Sequence, residues 1–165
     1  MSTADVNLDT LEIRETQAPD MESIVDMLRE AHGESRYQNV EFGQVRLRTF
    51  LRGAFKDTEG KTIRGFLARV NGEPIGLVSA FLTQTMTSPH MHAATLIFYV
   101  KKEYRGTEVP GMLLDRIADW ARSKNVSELA ISVTMGEDYG SERSNAFFRK
   151  KGFKSAGENM YLPMK

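Results

Sequence analysis

The fold-deciding stretch is FYVKKEYRGTEVPGMLL, from Phe98 to Leu114. Its first three residues end an apolar run that begins near residue 92 and is typical of a strand. A polar loop with one glycine follows, and helical spacing then starts at Pro110, a residue type that suits a first helical position. The first amides of a helix are unpaired and carry partial positive charge, so this turn predicts an anion site, with diphosphate as the expected anion. A plain strand-to-helix connection is the alternative.

Periodicity extends this unit in both directions along the chain. Asn71-Gly72 lies between two apolar runs and predicts a tight hairpin, because both residue types tolerate positive φ. The expected strands cover 11–16, 63–70, 74–83, 92–100, 129–134 and 153–162. The expected helices cover 20–31, 42–55, 110–123 and 141–151, with Val45, Phe50, Leu51, Ala54 and Phe55 as the buried stripe of the second. The order is β-α-α-β-β-β-α-β-α-β, an α/β (α+β) protein with a mixed sheet and helices on both faces.

Composition restricts the classes of function. The chain has 165 residues, 22 basic and 22 acidic, and no cysteine. Balanced charge disfavours a nucleic-acid partner, and the lack of cysteine excludes disulfides and a thiolate nucleophile. We expect a flexible N-terminal tail over 1–10, a single domain over 11–165, no membrane span, no metal site and a cytoplasmic location.

Two segments resemble one enzyme family. Tyr104-Arg105-Gly106 followed by a helix is similar to the acetyl-CoA loop of the GNAT N-acetyltransferases, usually written Arg/Gln-x-x-Gly-x-Gly/Ala. Residues 147–153, FFRKKGF, resemble that family's short C-terminal helix, which ends in Gly-Phe. The resemblance implies the GNAT-like acyl-CoA N-acyltransferase fold and transfer of an acetyl group from acetyl-CoA to a primary amine of a small molecule or protein. It also implies a homodimer or larger assembly, since GNAT-like domains often dimerise.

The same resemblance implies where acetyl-CoA binds. The strand over 95–100 would splay from 129–134, its backbone would pair with the pantetheine arm, and the amides over 105–111 would hold the diphosphate. The amine would approach from the other side, past the loop over 31–41. The residues assigned to acetyl-CoA in this way are Phe98, Tyr99, Val100, Arg105, Gly106, Thr107, Glu108, Val109, Gly111, Met112, Asn145 and Phe148.

Three positions depart from the family pattern. Glu108 stands where the loop usually has glycine, and Pro110, which has no N–H, stands where it has glycine or alanine. Phe148 stands where a tyrosine often serves as the general acid. All three remove expected chemistry, so the alternative is a non-catalytic domain that keeps the fold for binding or assembly, for instance in a phage virion.

Four side chains are candidates for acid–base work on the amine and the leaving thiolate. His92, at the start of the central strand, and Glu34, in the substrate-side loop, are the candidate bases, and Tyr139 or Tyr99 is the candidate acid in place of the missing tyrosine. Each has a plainer interpretation as a surface side chain, and water is an alternative proton acceptor. The basic run Arg149, Lys150, Lys151 and Lys154 faces either the 3′-phosphate of CoA or solvent. The further hypothesis that the chain is an RNA-binding module depends on that basic run alone.

Overall fold

A computed structural model describes residues 6–57, 61–132, 142–157, 160 and 162–164. The strands are β1 (Glu12–Glu15), β2 (Ile63–Val70), β3 (Glu73–Gln84), β4 (Met91–Val100) and β5 (Leu129–Ala130). The helices are α1 (Met21–Gly33), α2 (Gln44–Ala54), α3 (Val109–Ser123) and α4 (Glu142–Lys150). The sheet has the order β1-β2-β3-β4-β5, antiparallel except for the parallel β4–β5 pair that α3 connects. The expected mixed sheet is therefore confirmed.

The expected last strand is wrong for the part of 153–162 that the structure describes. Residues 153–157, 160 and 162 belong to no strand. Gly152 ends α4 with φ of +91°, and the Phe153 amide turns back to donate to the Phe148 carbonyl. The residues that follow, 154–157, are all exposed, so they lack the buried face that would fix a strand register. The strand expected over 129–134 is shorter as well, since 131 and 132 lie outside it.

The hairpin turn between β2 and β3 forms where the sequence predicts it. Asn71 and Gly72 have φ of 50° and 80°, the left-handed pair that matches the twist of two antiparallel strands. The Asn71 amide and side chain both bond the Thr10 hydroxyl, each at 2.8 Å. The turn is thereby joined to the segment that precedes β1.

Helices cover both faces of the sheet, because successive strand residues point to opposite sides. In β2, Phe66, Ala68 and Val70 pack with α3 and Phe148, while Leu67 packs with α1. The approach of α3 is close: a Cβ added at Gly76 in β3 would lie 2.9 Å from a methyl carbon of Leu113.

The expected buried stripe of α2 is wrong at two positions. Leu51 is buried, and Ala54 and Phe55 are partly covered, but Val45 is 76% exposed and Phe50 is 48% exposed. Leu47, which the sequence pattern did not single out, packs instead against the core cluster under α1. The helix is rotated so that Phe50 lies at the edge of a cavity described below.

The strand β4 contains a β-bulge between its two halves. Ser79 of β3 faces Ile97, whereas the next residue, Ala80, faces Thr95, so Leu96 is the extra residue of a β-bulge. On the other edge, β4 pairs with β5 only at Ala93 and Ala94. Within the described residues, the second half of β4 therefore has no partner on that edge. Separately, none of the helices described is long and apolar enough to cross a membrane.

We predict that Asp20→Asn lowers the free energy of unfolding by about 1–3 kcal/mol. Asp20 is buried and accepts two hydrogen bonds from Arg14 at 2.7 and 2.8 Å and one from the Gln17 amide. Burial alone would raise the pKa of Asp20, but these bonds outweigh it and lower that pKa below its usual range. The stabilisation should be present above about pH 4 and be lost as the pH falls through the lowered pKa.

Denaturant unfolding between pH 2 and 7 measures both effects. Asp26→Asn is the matched control, because Asp26 pairs with Arg29 on the exposed face of α1 and should change stability by less than about 0.5 kcal/mol. An Asp20→Asn protein with the acid sensitivity of the parent would contradict the prediction.

Candidate functional site

An aromatic cluster borders the unpaired edge of β4. The Phe98 ring, from that half-strand, lies nearly parallel to Phe147 of α4 with a centroid distance of 6.4 Å. It also meets Phe148 edge-on at 5.8 Å, and Phe148 in turn meets Phe153 at 5.7 Å. The helix α4 is thus held against β4 by aromatic contacts, and the surface where they meet is apolar.

The loop between β4 and α3 is closed by short local bonds. The Thr107 hydroxyl donates to the Tyr104 carbonyl at 2.7 Å and accepts from the Val109 amide at 3.2 Å. Pro110 lies buried in the first turn of α3, where its missing N–H leaves no helical bond unmade. Within the described part of the chain, the amides of Gly106, Glu108 and Gly111 donate to no protein acceptor. These three amides are the groups that an anion can use.

The lysine that directly follows α4, Lys151, lies over the first turn of α3. A Cβ added at Gly111 would be 3.2 Å from Cε and 3.3 Å from Nζ of Lys151. The same ammonium donates to both carboxylate oxygens of Asp115 at 2.9 Å. Lys151 therefore brings positive charge to the helix N-terminus, which the sequence left between a CoA phosphate and solvent.

Glu34, Tyr99 and Arg105 form a second cluster on the α1 face of β4. The Tyr99 hydroxyl donates to one oxygen of Glu34 at 2.7 Å, and the Arg105 guanidinium is bonded to the other. Arg105 also donates from Nε to the Val100 carbonyl at 2.8 Å and lies over the Tyr99 ring. Burial, followed by the hydrogen bond to Glu34, raises the pKa of Tyr99 well above its usual range. The cluster joins the end of α1 to the start of the anion loop.

A cavity of about 730 Å³ lies between α1, α2 and the sheet. Its walls include Leu28 of α1, Phe42, and Leu47, Phe50 and Phe55 at the α2 end. Its floor includes Thr16, Gly65 and Ser79, and it reaches the β4 bulge at Leu96 and Ile97. A second cavity of about 570 Å³ shares Phe50 and Leu96 and continues along the α2 side of the sheet. The β4 bulge thus contributes to the cavity on one side, while the second half of β4, which has no partner on its other edge among the described residues, lies beside α4.

His32 also lines this cavity, and the sequence analysis did not select it. Its Nε2 lies 2.7 Å from the Val40 carbonyl oxygen, which can only accept a hydrogen bond. In the neutral ring the proton is therefore on Nε2, and Nδ1 is left as an acceptor. The helical pattern does contain a signal for this position, because His32 follows Ile24 and Leu28 at four-residue spacing in α1 and all three line the cavity.

Of the predicted acid–base residues, His92 and Glu34 lie apart from each other. His92 pairs in register with Thr83 and is absent from the cavity lining, about 20 Å along β4 from Tyr99 at about 3.3 Å per residue. Glu34 has both oxygens bonded within the cluster described above. Tyr139 lies outside the described residues. Their roles stay predictions, as does that of Asn145 in α4.

Known proteins resemble this chain in sequence pattern and in fold. The family model described as "Acetyltransferase (GNAT) family" matches residues 21–153. A search of the curated proteins gives no significant match. Within the described residues there is no group of three or more side chains suited to hold a metal ion.

Solved structures share the fold at low sequence identity. An acetyltransferase from Trypanosoma brucei has a TM-score of 0.69 at 19% identity, over 93% of this chain and 99% of that one. A predicted acetyltransferase from Clostridium acetobutylicum, solved with acetyl-CoA, has a TM-score of 0.70 at 14% identity, over 93% and 96%. The enzyme AAC(6')-Iy, bound to a CoA–acetylneamine bisubstrate analog, has a TM-score of 0.69 at 13% identity, over 94% and 98%.

We predict that Glu34→Gln lowers the free energy of unfolding by about 1–2 kcal/mol, because it leaves a half-buried guanidinium without its counter-charge. Arg105 and Glu34 are 24% and 22% exposed, so solvent screens only part of the loss. Chemical denaturation provides the measurement.

Glu30→Gln is the control for this substitution. Glu30 is more exposed and lies 3.6 Å from Lys101 on the same side of the loop, so its loss should cost less than about 0.5 kcal/mol. Equal stability of the two variants would show that the Glu34 cluster does not anchor the loop.

Proposed function

Since the chain belongs to the acetyltransferase (GNAT) family, we propose that it transfers an acetyl group from acetyl-CoA to a primary amine. The observation that carries the proposal is the double role of β4. Within the described residues, its second half is unpaired on the edge toward α4 and leads to the amides of Gly106, Glu108 and Gly111 at α3, and its bulge lines the cavity of about 730 Å³ on the opposite side. A donor and an acceptor can therefore meet at one strand.

Acetyl-CoA would bind between β4 and α4, where its pantetheine arm needs a cleft. The free edge of β4 from Phe98 to Val100 offers backbone groups to the pantetheine arm, and the aromatic rings of Phe147 and Phe148 offer apolar contact. The amides of Gly106, Glu108 and Gly111 would donate to the diphosphate, and Lys151 would supply a cation. Both nearby cations are already paired, Arg105 with Glu34 and the Val100 carbonyl and Lys151 with Asp115. Lys151 is the one that lies over the first turn of α3, so it would exchange Asp115 for the diphosphate.

The reaction needs a neutral amine, a base for its proton and a proton for the leaving thiolate. The amine nitrogen attacks the thioester carbonyl carbon, the C–S bond breaks, and the amide product and free CoA thiol result. We propose His32 as the base, because it lines the cavity and keeps Nδ1 as an acceptor. Glu34 then acts as a positioning residue for Arg105, while His92 and Tyr139 remain further candidates for proton transfer.

A non-catalytic binding domain is the second candidate. The aromatic contacts of Phe98 with Phe147 and Phe148 favour it, since they join α4 to β4 across the cleft that a pantetheine arm would use. Phe148 also has no proton to donate. The two candidates differ in whether acetyl-CoA binds and in whether a thiol is released.

We predict that saturating acetyl-CoA, at about 100 times its Kd, raises Tm by roughly 5–10 °C, because a ligand selective for the native state stabilises it by about 2.7 kcal/mol. Lys151→Gln should raise the Kd of acetyl-CoA roughly 3- to 10-fold through loss of a cation beside the diphosphate. Calorimetric titration measures both proteins.

Lys150→Gln provides the control, because Lys150 carries the same charge one residue earlier on the exposed face of α4. Its Kd should match that of the parent. A Tm unchanged by millimolar acetyl-CoA would rule out the transferase in favour of the non-catalytic candidate.

We predict that His32→Ala lowers kcat at least roughly 100-fold while the Kd of acetyl-CoA stays within about twofold, because a positioned base contributes about 10²–10⁴-fold. His92→Ala should lower kcat by less than about threefold, because His92 is about 20 Å along β4 from Tyr99 and is absent from the cavity lining. Release of the CoA thiol measures turnover for both variants. The reverse order of effects would transfer the role of base to His92.

A further inference from the structure

The cavity that faces the β4 bulge carries information about the acceptor, an inference that rests on the proposed function. Three phenylalanines and several leucines form its walls, and its volume of about 730 Å³ lies in the range of small-molecule sites. His32 stands on the wall beside Phe42, while Thr16 and Ser79 are on the floor, where Ser79 stands opposite Ile97 of β4 and beside Gly65 of β2. Apart from His32, the walls that the phenylalanines and leucines form are apolar, and the floor next to the reacting strand is polar.

The acidic side chains around the cavity are already bonded. Asp57 accepts from the amides of Lys61, Thr62 and Ile63 and from the Thr62 hydroxyl, which hold its pKa well below the usual range. The other nearby carboxylate belongs to Glu15, which is paired with Arg64. Glu15 directly precedes Thr16, and Arg64 directly precedes Gly65; Thr16 and Gly65 form part of the floor. Because successive strand residues point to opposite faces, the side chains of Glu15 and Arg64 point to the other face of the sheet.

Within the described residues, the oxygens of the nearby Glu15 and Asp57 carboxylates are thus engaged, although Asp57 keeps its negative charge. An acceptor with several ammonium groups would have to place cations against phenylalanine and leucine with no carboxylate oxygen open to pair with them, which carries a desolvation penalty. An acceptor with one amine and an apolar body meets no such penalty, because the amine is neutral when it attacks and the body is covered by the walls.

We propose that the acceptor is a small primary amine on an aromatic or branched apolar body, with no second cationic group. Its amine lies at the Thr16 and Ser79 end, next to Ile97, and its body lies against Phe42, Phe50 and Phe55. Phe50 is the specificity-determining residue of this arrangement, because it lines both cavities and is 48% exposed at their junction.

The test compares 2-phenylethylamine, spermidine and a peptide with N-terminal alanine as acceptors, with thiol release as the readout. The parent protein should use 2-phenylethylamine with a kcat/KM at least about 10-fold above either rival. Phe50→Ala should raise the KM for 2-phenylethylamine roughly 10-fold with kcat nearly unchanged, because a half-exposed ring supplies uniform binding energy. Val45→Ala is the control, since Val45 is on the same helix, is 76% exposed and lines neither cavity.

Phe50→Glu gives an independent readout by placing a carboxylate at the junction of the cavities. This variant should gain activity toward spermidine and lose it toward 2-phenylethylamine. Calorimetric titration of 2-phenylethylamine into the CoA-bound protein measures acceptor binding without turnover, and Phe50→Ala should weaken that binding by the same factor as KM.

The outcomes separate this inference from the function on which it rests. Preference of the parent for spermidine or the peptide, or an unchanged KM in Phe50→Ala, overturns the acceptor class and leaves the transferase intact. Absence of 2-phenylethylamine binding by calorimetry while acetyl-CoA binds overturns it equally. Failure of acetyl-CoA itself to bind removes the transferase, and the acceptor class with it.

Discussion

The bulge at Leu96 is the constraint on which the two halves of the site depend. An extra residue in one strand bends that strand and increases its local twist. Beyond this point β4 keeps its ladder with β3 and pairs no further with β5 within the described residues. The same extra residue lets Leu96 and Ile97, neighbours in sequence, both line the cavity. A single kink thus opens one edge of the strand and shapes the opposite site.

Charged side chains from two separate clusters surround the start of α3. Arg105 is tied to Glu34 and Tyr99 on the α1 side, which fixes the loop but uses its charge. Instead of Arg105, Lys151 lies over the N-terminus of α3, and it comes from the end of α4, which is distant in sequence. Proline in the first turn costs little, because the first amides of a helix have no helical acceptor. The departures from the family loop are therefore milder in the fold than the sequence pattern indicates.

The mispredicted parts of the chain share a physical cause. The α2 pattern has apolar residues on more than one side, so periodicity alone could not decide whether Phe50 enters the core or borders a cavity. The expected strand over 153–162 begins with an apolar residue, but Gly152 turns the chain at a positive φ and the next four residues stay exposed. In both cases the outcome depends on which surface the segment meets, and local sequence does not contain that surface.

By itself, the sequence determined the order and type of most elements, the Asn71-Gly72 hairpin and the strand–loop–helix unit that ends at α3, because hydrophobic period, turn chemistry and helix-start residues are local properties. Only the tertiary structure decided which side chains act together. It brought Glu34 to Arg105, Lys151 to Gly111 and His32 to the cavity, and it left His92 far along the strand. Such contacts join residues that are far apart in the chain, and their partners are set by how the sheet bends and how the helices pack on it.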